Sequence, residues 1–169
     1  MHKGLKEPHL FNAASNPLKI IKNLAGILAE VELDKIRREI DVNVVALYKL
    51  GESHFLFAKA ISNTEWRQKI SRLYYGAYNV RRAVSLKFDG TYSTDSSDHQ
   101  KIDSIPDTFN NYAVYRNKLK SLRDDRNLAD YNHLAKIEDL LLSVEESERL
   151  VTDLFSDAKN YFTSSGINL

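Results

Sequence analysis

The chain has 169 residues, enough for one domain of ordinary size with a real core. Apolar residues make up 43% and charged residues 28%, the balance of a globular chain, and a net charge of +1 selects no class of partner. The absence of cysteine excludes disulfides and thiolate chemistry, no apolar run approaches the ~18 residues of a membrane span, and Met1 to Asn16 has no signal-peptide pattern, so a cytoplasmic protein is expected.

Six Gly and three Pro favour long elements over many turns. Residues 1–16 read as a polar lead-in. Asn16-Pro17 then has the form of an N-cap followed by Pro at the first helical position. Ile20, Ile21, Leu24, Ile27, Leu28 and Val31 repeat at helical spacing and predict a helix over 17–39. A second helix is expected over 43–61, with Val44, Leu47, Tyr48, Phe55 and Ala58 inward; Gly51 weakens it by ~1 kcal/mol relative to Ala.

The third helix has the clearest pattern. After Asn63 as a cap, Trp66, Ile70, Leu73, Ala77, Val80 and Val84 fall at spacings of four and three, the repeat of a helix packed along its whole length. Asp89-Gly90 ends it. Residues 89–98 form a polar, hydroxyl-rich loop, a solvated connector or a functional one. Asp107 is a plausible cap for a fourth helix over 107–130. A fifth, over 135–163, has Ile137, Leu140, Leu141, Val144, Val151, Leu154, Phe155 and Ala158 inward. No segment alternates at period two. The expected fold is all-α: an antiparallel helical bundle with an additional N-terminal helix. Its parts are an N-terminal extension over 1–42, a bundle over 43–163 and a tail over 164–169.

The fourth helix ends unusually. One face reads Tyr112, Tyr115, Leu119, Leu122, Arg126, Ala129 and His133, so an apolar stripe finishes in an Arg and a His about two turns apart. A charge on a buried stripe needs a partner or a task. Arg126 offers a planar fork suited to phosphate oxygens. His133 offers a group that titrates near neutrality. Together they suffice for metal-independent cleavage of RNA, the His moving protons and the Arg stabilising the phosphorane-like transition state. One copy of each is thin for both proton transfers, which makes a composite site at a dimer interface attractive. The plainer alternative is an intrahelical ion pair between Arg126 and Asp130, with His133 in a solvated turn.

Metal ligation has little support. The five His residues are scattered, with no pair at three- or four-residue spacing. No Gly-rich phosphate cradle and no Gly-x-Ser-x-Gly elbow is present, so no metal and no cofactor is expected. Arg116, Lys118, Lys120 and Arg123 cluster before Arg126. Arg67, Lys69, Arg72, Arg81 and Arg82 cluster on the third helix around Tyr74, Tyr75 and Tyr78. Aromatics among basic residues can stack on unpaired bases, or they can form a packing face with charged flanks.

Ser71-Arg72-Leu73-Tyr74-Tyr75-Gly76-Ala77-Tyr78, followed by Arg82-Ala83-Val84, resembles the S-R-x-Y-Y pattern of small stand-alone HEPN proteins. Arg126-Asn127-Leu128-Ala129-Asp130-Tyr131 resembles the R-x-x-A-D-Y segment of the same branch. The resemblance spans residues 43–163. It implies a helical bundle that dimerises through its fourth helices. It also implies a metal-independent endoribonuclease of toxin–antitoxin or antiviral-defence type, with an antitoxin or a nucleotidyltransferase as partner. By this resemblance Arg126 and His133 are the catalytic pair, at the long limit of the family's spacing. Asn127, the family's polar follower, and Tyr131 are expected to support them, and Arg72, Arg116, Lys120 and Arg123, from the basic clusters, are expected to bind RNA. The R-x-x-A-D-Y branch often lacks the His, and there the Asp and Tyr lock the helix end. The alternative it implies is a non-catalytic binding or regulatory subunit that holds a nucleotide or a partner protein.

Overall fold

The computed structural model describes residues 16–25, 28–93 and 95–169. The lead-in up to residue 15, Ile27 and Thr94 lie outside the described residues. Within them the fold is all-α, with five α-helices and no strand: α1 (Pro17–Leu24), α2 (Glu30–Ala60), α3 (Trp66–Asp89), α4 (Tyr112–Tyr131) and α5 (Val144–Ser164). The long helices alternate in direction, and α1 is the additional N-terminal helix. No helix among the described residues is long and apolar enough to cross a membrane.

The α1 start follows the local code. The Asn16 side chain accepts from the Lys19 amide at 3.0 Å, and Pro17 occupies the first turn, where its missing N–H costs nothing. The helix expected over 17–39 ends instead at Leu24, where Ala25 turns extended. The second helix then runs unbroken from Glu30 to Ala60, across the break expected near residue 42. Ile40, Val44, Leu47 and Tyr48 form one continuous buried stripe, and Lys87 of α3 pairs with Asp41 at 2.7 Å in the expected gap. Packing against α3 therefore carries the helix through.

The α3 helix is buried on most of its circumference and packs on α2, α4 and α5. Ile70, Leu73, Ala77, Val80, Ala83 and Val84 are fully enclosed. Gly51 of α2 meets Gly76 of α3 at the closest crossing: a Cβ on Gly51 would stand 2.9 Å from the Gly76 carbonyl oxygen. The glycine that weakens α2 as an isolated helix is what lets the two backbones approach. Below the crossing, Phe55 stacks on Phe155 with centroids 4.9 Å apart, and Tyr48 meets Phe155 and Phe162 edge-on.

Two expected helix starts shift. The fourth helix begins at Tyr112 and not at Asp107. Its cap position, Asn111, has φ 56°, and Asn110, Asn111 and the Tyr115 hydroxyl all donate to Asp157 of α5. Phe109 is drawn into the core just before it. The fifth helix begins at Val144 and not near 135. Ser143 and Glu146 form a reciprocal capping box there. The preceding segment contains only a short 3-10 turn, Ile137–Asp139, so Ile137 and Leu141 are exposed and Leu142 is the buried residue. The buried Asp125 carboxylate fixes that loop, accepting from the Leu141 amide at 2.7 Å and the Leu142 amide at 3.0 Å.

Candidate functional site

An open cleft of about 690 Å³ lies where the C-terminal half of α4 meets α3 and the Ser96–Lys101 3-10 turn. Tyr74, His99, Gln100, Arg123, Asp124, Arg126, Asn127 and Tyr131 line it. Helical spacing explains the α4 contribution: Arg123, Arg126 and Asn127 are three and four residues apart and share a face.

Arg126 is the centre of the site and is largely enclosed, its side chain 15% exposed. Its Nε lies 2.8 Å from the Asp130 carboxylate, a charge contact without hydrogen-bond alignment. One terminal nitrogen donates to the Tyr75 hydroxyl at 2.6 Å and the other to the Asn127 side-chain oxygen at 3.1 Å. The guanidinium carbon also stands 5.2–5.5 Å from the ring centroids of Tyr74, Tyr75 and Tyr131. A guanidinium has five N–H groups, so three partners leave donors for an anion. Burial opposes the Arg126 charge, but Tyr75, Asp130 and Tyr131 outweigh it and hold the charge in place. Ser71 approaches the same Asp130 carboxylate at 3.5 Å. The two sequence motifs therefore close on one another: Ser71 and Tyr75 from the first, Arg126, Asp130 and Tyr131 from the second.

The other predicted site residues divide by location. Arg123, Asn127 and Tyr131 line the cleft with Arg126. Arg123 pairs with Asp124 at 2.8 Å, and Tyr131 is 73% exposed. His133 is exposed in the turn after α4 and is not among the cleft residues. Arg116 and Lys120 line a separate groove with Asp103 and Tyr112, where Lys120 faces Asp103 at 3.5 Å. Arg72 points to α2, against His54 and the Phe57 ring.

Most of the basic cluster on α3 serves the fold. Arg67 donates to the Ala129, Asn132 and Ala135 carbonyls, satisfying the C-terminal end of α4 where a cation also suits the helix dipole. Lys69 is buried against Glu148 at 2.6 Å. Arg81 and Asp98 form a sealed ion pair at 3.1 Å, each side chain 2% exposed, and Arg82 donates to the Ser93 carbonyl. These bonds pin the polar 89–98 segment to α3.

The histidine that shares the cleft with Arg126 is His99, which sequence reasoning did not select. The polar, hydroxyl-rich composition of the loop ends at Asp98, one residue short of it. The His99 ring stacks on Tyr78 with centroids 4.2 Å apart, and its Nδ1 is 2.8 Å from the Tyr74 hydroxyl. Burial, then the Arg126 charge, holds His99 below the ordinary histidine range, against an upward pull from Asp98. Burial pushes the Tyr74 hydroxyl well above the ordinary phenol range, and Tyr78 up to about 12. Tyr74 therefore stays protonated, and its hydroxyl shares one hydrogen bond with His99 Nδ1. Among the described residues no group of three His, Asp or Glu side chains could hold a metal ion.

No protein-family model, no curated protein and no solved structure matches the chain.

Proposed function

We propose that the protein is a HEPN-type binding module that holds a nucleotide unit of single-stranded RNA, or a free nucleotide, in the Arg126 cleft without cleaving it. The phosphate sits on Arg123 and Arg126, and the base stacks on the exposed Tyr131 ring. One observation carries this reading: the cleft gathers Arg126, Arg123, Asn127 and Tyr131 and leaves His133 outside, while Asp130 and Tyr75 hold Arg126 in position. The locked arginine fits the branch of the resemblance that lacks the catalytic His. The same resemblance supports a homodimer and a nucleotidyltransferase or antitoxin partner. Light scattering on the purified chain reads the dimer directly.

RNA cleavage is the second reading, favoured by the presence of His99 beside Arg126. There, His99 replaces His133 as the proton-transfer group.

A labelled single-stranded oligoribonucleotide in chelator-containing buffer separates these readings. Anisotropy reads binding, and a gel reads cleavage in the same tube. The expected result is binding of intact RNA, weakened in Arg123→Ala and Tyr131→Ala and unchanged in His133→Ala. Fragments ending in cyclic phosphate, lost in His133→Ala, would establish the Arg126–His133 nuclease instead. Fragments lost only in His99→Gln would establish the second reading.

A further inference from the structure

The charges around the cleft nearly cancel. Arg126 is matched by Asp130 and Arg123 by Asp124. Behind the cleft, Asp98 is shared between Arg81 at 3.1 Å and Arg82 at 3.7 Å. An anion entering the cleft therefore meets two arginines whose fields are largely offset. His99 is the one lining group able to add a positive charge on demand near neutral pH.

The ring is held so that it can do this without moving. Tyr78 stacks on one face and Tyr74 fixes Nδ1. A phenol oxygen both donates and accepts. With the neutral ring's proton on Nε2, His99 accepts from Tyr74 at Nδ1, and the imidazolium donates to the same oxygen. Nε2 has no partner within the described residues, and in that tautomer it carries an N–H in both states. The ring can therefore take a proton from solvent while Nε2 keeps its place at the cleft wall.

Resting on the nucleotide-binding reading above, we propose that His99 makes the cleft a proton-coupled site for a terminal phosphate: a phosphomonoester dianion binds with uptake of one proton by His99. A phosphodiester carries one charge and a terminal monoester nearly two at neutral pH, so the monoester stabilises the imidazolium about twice as strongly. In the free protein the ring is mostly neutral. Burial disfavours its charge, Arg126, Arg82 and Arg81 repel it, and Asp98 alone draws the proton on. The dianion reverses this balance. The bound state then holds more protons than the free state, so binding tightens as pH falls.

The probes are AMP and 3′,5′-cyclic AMP, which share a base and ribose and differ in phosphate charge. Calorimetric titration of the full chain at pH 8.0, 7.5 and 7.0, above the second phosphate pKa near 6, should show AMP affinity rising by ~3-fold or more, within the ~10-fold per pH unit that one proton allows. Cyclic AMP should change by less than ~2-fold over the same range. His99→Gln should bind AMP with a flat profile, and melting temperature reports whether that variant folds. A readout independent of any variant is the imidazole proton resonance of His99, whose midpoint should move up with AMP and about half as far with cyclic AMP. A flat AMP profile in the wild type, or a His99 midpoint that AMP leaves unmoved, overturns this inference and leaves the binding reading standing. Failure of both nucleotides and of single-stranded RNA to bind at every pH overturns the binding reading and this inference with it.

Discussion

The Arg126 guanidinium is held from several directions at once. Its three nitrogens reach Asp130, Tyr75 and Asn127, and three aromatic rings surround its guanidinium. A lysine cannot serve those three directions at once. Arg126→Lys is expected to lower nucleotide affinity by ~10-fold and to lower the melting temperature too, since about 1–2 kcal/mol of charged hydrogen bonding is lost. Tyr131 is the complementary case. Its ring is mostly exposed, so its removal costs little stability. Tyr131→Ala should weaken RNA binding by ~5-fold or more through loss of base stacking, leave the melting curve unchanged, and be rescued by Tyr131→Phe. Equal RNA affinity in the two Tyr131 variants would remove the stacking platform from the account.

At the scale of the helices, carboxylates do much of the positioning. Asp157 collects three donors from the start of α4. Burial pushes its pKa up, but the bonds from Tyr115, Asn111 and Asn110 outweigh this and leave it below the ordinary Asp range. A depressed folded-state value means that its contribution is complete above the unfolded Asp pKa, near 4, and fades as pH falls through the folded value. Denaturant titrations at pH 7 should therefore find Asp157→Asn less stable by about 1–2 kcal/mol, with the gap to wild type closing below about pH 4. A gap that stays constant to pH 3 would contradict this role. Asp125 is more deeply placed. Asp125→Ala leaves the Leu141 and Leu142 amides without their acceptor and should cost about 2–4 kcal/mol. Gly51 tests the helix crossing. Helix propensity favours Gly51→Ala by ~1 kcal/mol, yet the new Cβ would strike the Gly76 carbonyl, so the variant should unfold at lower denaturant than wild type. A rise in the midpoint would mean that the helices separate easily.

Over the whole molecule the net charge is near zero, and the bonds of Arg67, Lys69, Arg81 and Arg82 within the fold take four cations of α3 away from nucleic acid. Two phosphate-facing arginines predict a shallow salt dependence for single-stranded RNA, with a slope of about −1.4 in log affinity against log salt. A slope near −2.8, about the value for four contacts, would show that Arg116 and Lys120, in their own groove, join the footprint.

The sequence by itself determined the all-α class, the α3 stripe and the α1 cap, because helical periodicity and capping are local physics expressed within a few residues. It also marked Arg126, since a charge ending an apolar stripe breaks a local pattern. The Ser143–Glu146 box is equally local, but the apolar pattern beginning at 135 extends beyond it and masks the true start of the helix. Other features became visible only with the tertiary structure. The start of α4 depends on Asp157, 46 residues away from Asn111, and the continuity of α2 depends on the face of α3. The identity of the cleft histidine depends on the Arg81–Asp98 pair, which folds the polar loop back until His99 rests on Tyr78. Spacing along one helix favoured His133, and long-range pairing placed His99 beside Arg126. A binding site is assembled from separate elements, and no periodicity within any one of them records which neighbour it will meet.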